Sequence, residues 1–140
     1  MDYVLGFIFN ETLDRVILIR KNKPEWMKGK LNGIGGKREP GETTLAAMER
    51  ECLEETGLHI TDWRHLGLLY QEDVWGVHVF VAIADVGLSE TKEDEVVEVY
   101  DVYDVYYMDT VSNLTWLIPL CINSFNDTSI KSFELSYSRE

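Results

Sequence analysis

The chain has 140 residues, 45% of them apolar, and a formal charge of −12 at pH 7, which suits a single domain over residues 1–140 and leaves too little chain for two. A negative charge of this size repels nucleic-acid polymers, so neither RNA nor DNA is expected as a partner. No run reaches the ~20 apolar residues of a membrane span, Met1 and Asp2 do not open a basic leader, and Cys52 and Cys121 are too few for a disulfide framework; the expectation is a cytoplasmic protein, off the membrane, with reduced and buried thiols.

Residues 3–9 and 15–20 are β-rich runs separated by a polar stretch, which predicts a hairpin. Residues 21–41 are rich in Gly, Lys and Pro and predict a long loop, the kind of segment that usually carries function. Eight of the thirteen cations (Arg15, Arg20, Lys21, Lys23, Lys28, Lys30, Lys37 and Arg38) fall in this early part of the chain. A site for a small anion and a merely solvated loop explain them equally well. Thr43 or Thr44 can cap a helix that keeps Leu45, Met48, Cys52 and Leu53 on its inner side and stops at Gly57. Strands are predicted over 65–70, 77–84 and 97–108, with an acidic connection over 87–94. A second helix follows over 114–125 and a terminal edge strand over 133–137. The order implies a mixed sheet with helices packed on it, an α/β (α+β) fold.

The first helix is unusually acidic in its last two turns. Glu51, Glu54 and Glu55 lie on one side, Glu51 and Glu55 are a like-charged pair at i, i+4, and the helix dipole there favours cations. A divalent cation over the cluster would relieve the repulsion, since Mg²⁺ is bound through carboxylate oxygens. Arg50 can pair with one carboxylate and orient the others. By itself the cluster is equally consistent with a solvated helix face carrying one ion pair.

The wider spacing separates these readings. Gly36, Glu42, Arg50, Glu51, Glu54, Glu55 and Gly57 stand at the intervals of G-x5-E-x7-R-E-U-x-E-E-x-G-U, a match expected by chance on the order of once in a million chains at ordinary residue frequencies. The segment 36–58 therefore resembles the Nudix box, with Cys52 at a position where an aliphatic residue is usual. A buried thiol packs much as an aliphatic side chain does.

The resemblance implies the Nudix α/β/α sandwich and hydrolysis of a phosphoanhydride bond, with Mg²⁺ as cofactor and Mn²⁺ able to substitute. It implies Glu51, Glu54, Glu55 and the Gly36 carbonyl as metal ligands, Arg50 as the residue that orients the carboxylates, and Glu42 as support for the loop. Glu51 is the first choice as general base. Glu95 stands in the acidic connection where MutT-like members carry a further metal-binding carboxylate, with a solvated acidic loop as the plain alternative. The run 26–37 is similar to the segment before the box in MutT-type triphosphatases, where an Asn pairs with the base and an aromatic six residues earlier lines the pocket. Asn32 and Trp26 fit both roles, and Lys37 closes the run. Trp75 is a second candidate wall, with core packing as the plain alternative. Residues 113–120 resemble the C-terminal helix of the same subgroup. Ser112 and Asn113 stand there in place of the aspartate pair of the oxidised-purine enzymes, which argues against strict 8-oxopurine specificity.

The expected partner is a small nucleotide, bound by a monomer or homodimer, and the expected reaction converts a nucleoside triphosphate to monophosphate and pyrophosphate. The alternatives are ADP-ribose, a nucleotide sugar, a dinucleoside polyphosphate or a capped RNA end as substrate, and a non-catalytic nucleotide sensor.

Overall fold

Alternation along the central strands dictates a three-layer arrangement. In the computed structural model, which describes residues 1–139, β1 (Asp2–Phe9) sends Leu5, Phe7 and Phe9 into an apolar cluster on one face of the sheet and Val4 and Ile8 into a second cluster on the other. β2 (Arg15–Arg20) repeats the pattern, with Val16 and Leu18 on the first face and Ile17 and Ile19 on the second. A strand buried on both faces needs a layer against each.

Two helices supply those layers. α1 (Thr44–Thr56) covers the second face with Ala47, Met48 and Cys52. α3 (Leu114–Asn126) covers the first with Leu114, Leu117, Ile118 and Cys121. The result is the expected α/β/α sandwich. The Thr43 hydroxyl caps α1 by accepting from the Ala46 amide at 3.0 Å, and Gly57 ends it in the left-handed region at φ 76°, donating to the Leu53 carbonyl.

The sheet is mixed. β6 (Trp75–Ile83) runs parallel to β1 in unbroken register from Asp2 opposite Gly76 to Phe9 opposite Ile83. β5 (Arg64–Gln71) lies antiparallel to β6, and β8 (Phe133–Ser136) joins its outer edge in parallel, as the expected terminal edge strand. The other side of β1 forks: β4 (Ile34–Lys37) pairs with residues 3–6, whereas β2 takes over at Ile8 and Phe9. β2 is flanked by β3 (Leu31–Asn32) and by β7 (Val97–Asp101). The chain passes from one branch of the fork to the other at Gly33, between β3 and β4.

Three expectations need correction. Residues 21–41 are not all loop, because Leu31 and Ile34 are fully buried and draw β3 and β4 into the sheet, after a 3-10 turn at Glu25–Met27. The strand expected over 97–108 stops at Asp101, whose carboxylate accepts from the Tyr103 amide at 2.9 Å and starts the short helix α2 (Val102–Val105). Val102 and Val105 then reach the core at helical rather than strand spacing. Leu45 and Leu53, expected on the inner side of α1, are 40% and 47% exposed. Burial on α1 begins only at Ala47. At ~100° per residue Leu53 lies about 140° round from Met48, and Glu55 only about 20°. The core stripe of the helix therefore carries a carboxylate inward.

None of the described helices is long and apolar enough to cross a membrane.

Met48 is fully buried between α1 and the sheet. Met48→Ala is expected to lower stability in urea unfolding by about 2–5 kcal/mol; a loss under ~1 kcal/mol would show that α1 is not packed as described.

Candidate functional site

Glu55 follows Met48 and Cys52 around α1 and is only 5% exposed, an unusual position for a carboxylate. Its Oε1 accepts from the Gly35 amide at 2.9 Å. Burial and the neighbouring Glu51 push its carboxyl up to about 8, against the pull of Lys21 and the Gly35 amide. Burial also raises Glu51, outweighing the opposite influence of Arg50. The backbone of β4 lies directly over these side chains. A Cβ at Gly36 would meet the Glu51 carboxylate at 2.7 Å, and one at Gly35 would meet the Val4 carbonyl at 1.9 Å. Only glycine lets the strand and the carboxylates come this close.

Arg50 organises the cluster. Its Nε and Nη2 donate to the two oxygens of Glu42 at 2.7 and 3.0 Å, a bidentate fork. Nη1 donates to Glu51 at 2.8 Å and to Glu54 at 3.3 Å, and Nη2 also reaches the Lys37 carbonyl at 3.2 Å. Glu42 is held down to about 2, chiefly by Arg50 and then by the Glu39 amide. With Glu51 and Glu54 turned to the guanidinium, no group of three His, Cys, Asp or Glu side chains among the described residues is already gathered at metal-holding distance.

Glu95 reaches the same region from the segment before β7. It accepts from Lys21 Nζ at 2.9 Å and from the Asn22 amide at 2.6 Å. Burial would raise its carboxyl, but the Asn22 amide and Lys21 hold it below its ordinary value. Lys21 and Glu95 both act on Glu55, the lysine favouring its charged form and the glutamate opposing it.

A second group lies on the other branch of the fork. The Leu31 amide donates to the Asp109 carbonyl, and the Leu31 carbonyl accepts from Val111, both at 2.9 Å. These bonds tie β3, and with it Asn32, to the segment leading into α3. Asn113 stands at the start of that helix and makes no capping bond; its Oδ1 is buried and has no partner among the described residues. Asn32 Oδ1 accepts from the Gly33 amide at 2.9 Å. Trp26 sits on the Glu25–Met27 turn, 63% exposed. The Lys37 side chain is exposed at the end of β4. Trp75 is not drawn to this group. It begins β6, packs its indole against Tyr137 with centroids 5.2 Å apart, and donates from Nε1 to Gln71 at 3.2 Å.

The NUDIX domain family model matches residues 1–114. The chain belongs to the NUDIX family. It is 34% identical over 92 residues to 8-oxo-dGDP phosphatase NUDT18 of Homo sapiens, covering 66% of this chain and 28% of that protein. It is 35% identical over 71 residues to the oxidized purine nucleoside triphosphate hydrolase of Danio rerio, covering 47% of this chain and 46% of that one. The chain thus spans less than half the length of either curated relative. Among solved structures, a MutT from work on the Aliivibrio salmonicida and Vibrio cholerae proteins shares the fold at a TM-score of 0.71 and 20% identity, covering 87% of this chain and 95% of that one.

Lys21 is the member of this side-chain cluster that the sequence did not single out. It was one of eight early cations, and only the pairing of Arg20 with the turn at Gly29 and of Lys21 with Glu95 separates their roles.

The raised Glu55 gives a signed expectation for the metal-free protein. The folded form holds a proton that the unfolded chain releases near 4.5, so stability that is fully present below that value is lost as pH rises through about 8. Urea midpoints in a chelator at pH 5, 7 and 9 should therefore fall for the parent relative to Glu55→Gln, which keeps the acceptor but not the charge. A constant gap between the two proteins would contradict this account.

Proposed function

We propose that this chain hydrolyses a nucleoside triphosphate to monophosphate and pyrophosphate, with Mg²⁺ as cofactor. The observation that carries this reading is the four-residue step from Asn32 to Gly36, which joins the amide-bearing corner to the glutamate cluster. At ~3.3 Å per residue it spans at most about 13 Å, a length that suits a base at one end and phosphates at the other.

The residues present fit a hard divalent cation. Every candidate donor is an oxygen: the carboxylates of Glu51, Glu54, Glu55 and Glu95 and the Gly36 carbonyl. The Gly36 backbone lies where a Cβ would collide with Glu51, and the buried Glu55 gains from an adjacent positive charge. When bound, the cation would neutralise charge on the phosphate oxygens and make water a better nucleophile.

The chain's own groups do the rest. Lys21, beside Glu55, supplies a fixed positive charge for the phosphate tail. Arg50 keeps Glu51 and Glu54 oriented, and Glu42 keeps Arg50 in place. Glu51 takes the proton of the attacking water, a role that its raised carboxyl suits. Attack on phosphorus breaks the anhydride bond, and the pyrophosphate leaves. Asn32 and Asn113 read the base edge, and the exposed indole of Trp26 offers a stacking face. A nucleoside diphosphate is the second reading, favoured by the 8-oxo-dGDP phosphatase relative.

Incubation with each NTP, dNTP and nucleoside diphosphate in Mg²⁺, with product identification, tests the reading; absence of turnover on all of them would sink it. Glu55→Gln is expected to lower kcat at least about a hundredfold with the fold intact. Asn32→Ala should raise KM more than it lowers kcat, as expected for a contact made alike in ground and transition states.

A further inference from the structure

The sheet face that carries α1 continues onto β5 and β6, and there two imidazoles meet. His78 shares the face of Phe80 and Ala82 by the two-residue period of β6. His65 stands beside it on β5, where Leu68 pairs with His78 and His65 with Phe80. The His65 Nε2 and His78 Nδ1 atoms are 3.0 Å apart, and the ring centroids 5.2 Å. His65 is exposed and His78 half-buried, so the pair is open to solvent. Neither takes part in the hydrolysis described above.

We infer that His65 and His78 form a two-imidazole chelating site for a divalent transition cation such as Zn²⁺, separate from the carboxylate cluster. Two ligand nitrogens at 2.0–2.1 Å from one metal lie roughly 2.9–3.4 Å from each other for bond angles between square and tetrahedral, and the observed separation falls in that range. The pair is also held in place. Both residues sit on hydrogen-bonded neighbouring strands, and the His65 ring stands edge-on to Phe80 at a centroid distance of 5.1 Å.

Burial lowers the basicity of both rings, and for His78 the charge of its partner adds to the effect, which favours the neutral form that binds metal. Of the other charged groups acting on His78, the Asp2 carboxylate favours a cation and Arg38 opposes it; these two are themselves paired at 3.3 Å. Binding requires that the ring donating across the 3.0 Å contact move that proton to its other nitrogen and that the rings turn enough for the two facing lone pairs to converge on the metal rather than on each other. Water completes the coordination shell.

Ligand chemistry keeps the two sites distinct. Imidazole nitrogen suits Zn²⁺, Cu²⁺ and Ni²⁺, whereas Mg²⁺ prefers oxygen. His78 lies opposite Val4 in β1, and Val4 opposite Gly36 in β4, so the sites are two strand spacings apart, about 10 Å.

The test is calorimetric titration of the full chain with Zn²⁺ in excess Mg²⁺, which keeps the carboxylate cluster occupied. The parent should bind one Zn²⁺. His65→Ala and His78→Ala should each bind about tenfold more weakly or worse, and His59→Ala, which alters the third histidine of the chain, should match the parent. Absence of Zn²⁺ binding by the parent, or equal affinity in all four proteins, overturns the site. Should a β-strand variant fail to fold, paramagnetic broadening by Cu²⁺ in the amide spectrum of the parent decides the matter. Broadening centred on residues 65 and 78 supports the site, and broadening centred on His59 or on α1 rejects it.

Discussion

The guanidinium of Arg50 ties three pieces of chain together. It donates to Glu42 in the loop before α1, to Glu51 and Glu54 on α1 itself, and to the Lys37 carbonyl at the end of β4. Loop, helix and strand are thereby fixed relative to one another through charge-assisted bonds around one planar group. The loop is secured further by Glu39 and Arg38, whose amide and guanidinium both bond to Glu42. A lysine in place of Arg50 would keep the charge but could not serve these directions at once.

That arrangement tolerates a concentration of negative charge that would otherwise push the helix apart. Glu51 and Glu55 repel, burial disfavours both carboxylates, and Glu95 adds to the load from outside the helix. Arg50 on one side and Lys21 on the other offset part of this. The remainder is local frustration of the kind that functional sites retain. The same sheet face carries the imidazole pair on β5 and β6, so oxygen and nitrogen donors are sorted along one surface by strand.

Much of this was legible in the sequence where the signal was periodic or spaced. The strands of residues 3–9 and 15–20 are compact β-rich apolar runs, Thr43 and Gly57 mark the ends of α1 by their chemistry, and the seven box positions place the family. What escaped depends on contacts between distant segments. The fork of β1 arises because Leu31 and Ile34 are buried while Gly35 and Gly36 let β4 approach, and a glycine-rich stretch reads as loop until its partner strand is known. The end of β7 hinges on one carboxylate capping the next turn, inside a run whose valines and tyrosines favour strand. The roles of Lys21 and Glu95 are set by a pair 74 positions apart in the chain.

The fork has a bearing on how this scaffold can diversify. Because side chains in a strand change face at every residue, adding or removing one residue between Asn32 and Gly36 would turn Gly35 and Gly36 over relative to β1 and break their approach to Glu51 and Glu55. The stretch acts as a ruler of fixed length between the Asn32 corner and the glutamate cluster. Side chains at its ends, at the Trp26 turn and at the start of α3 can therefore be exchanged while its length stays constant.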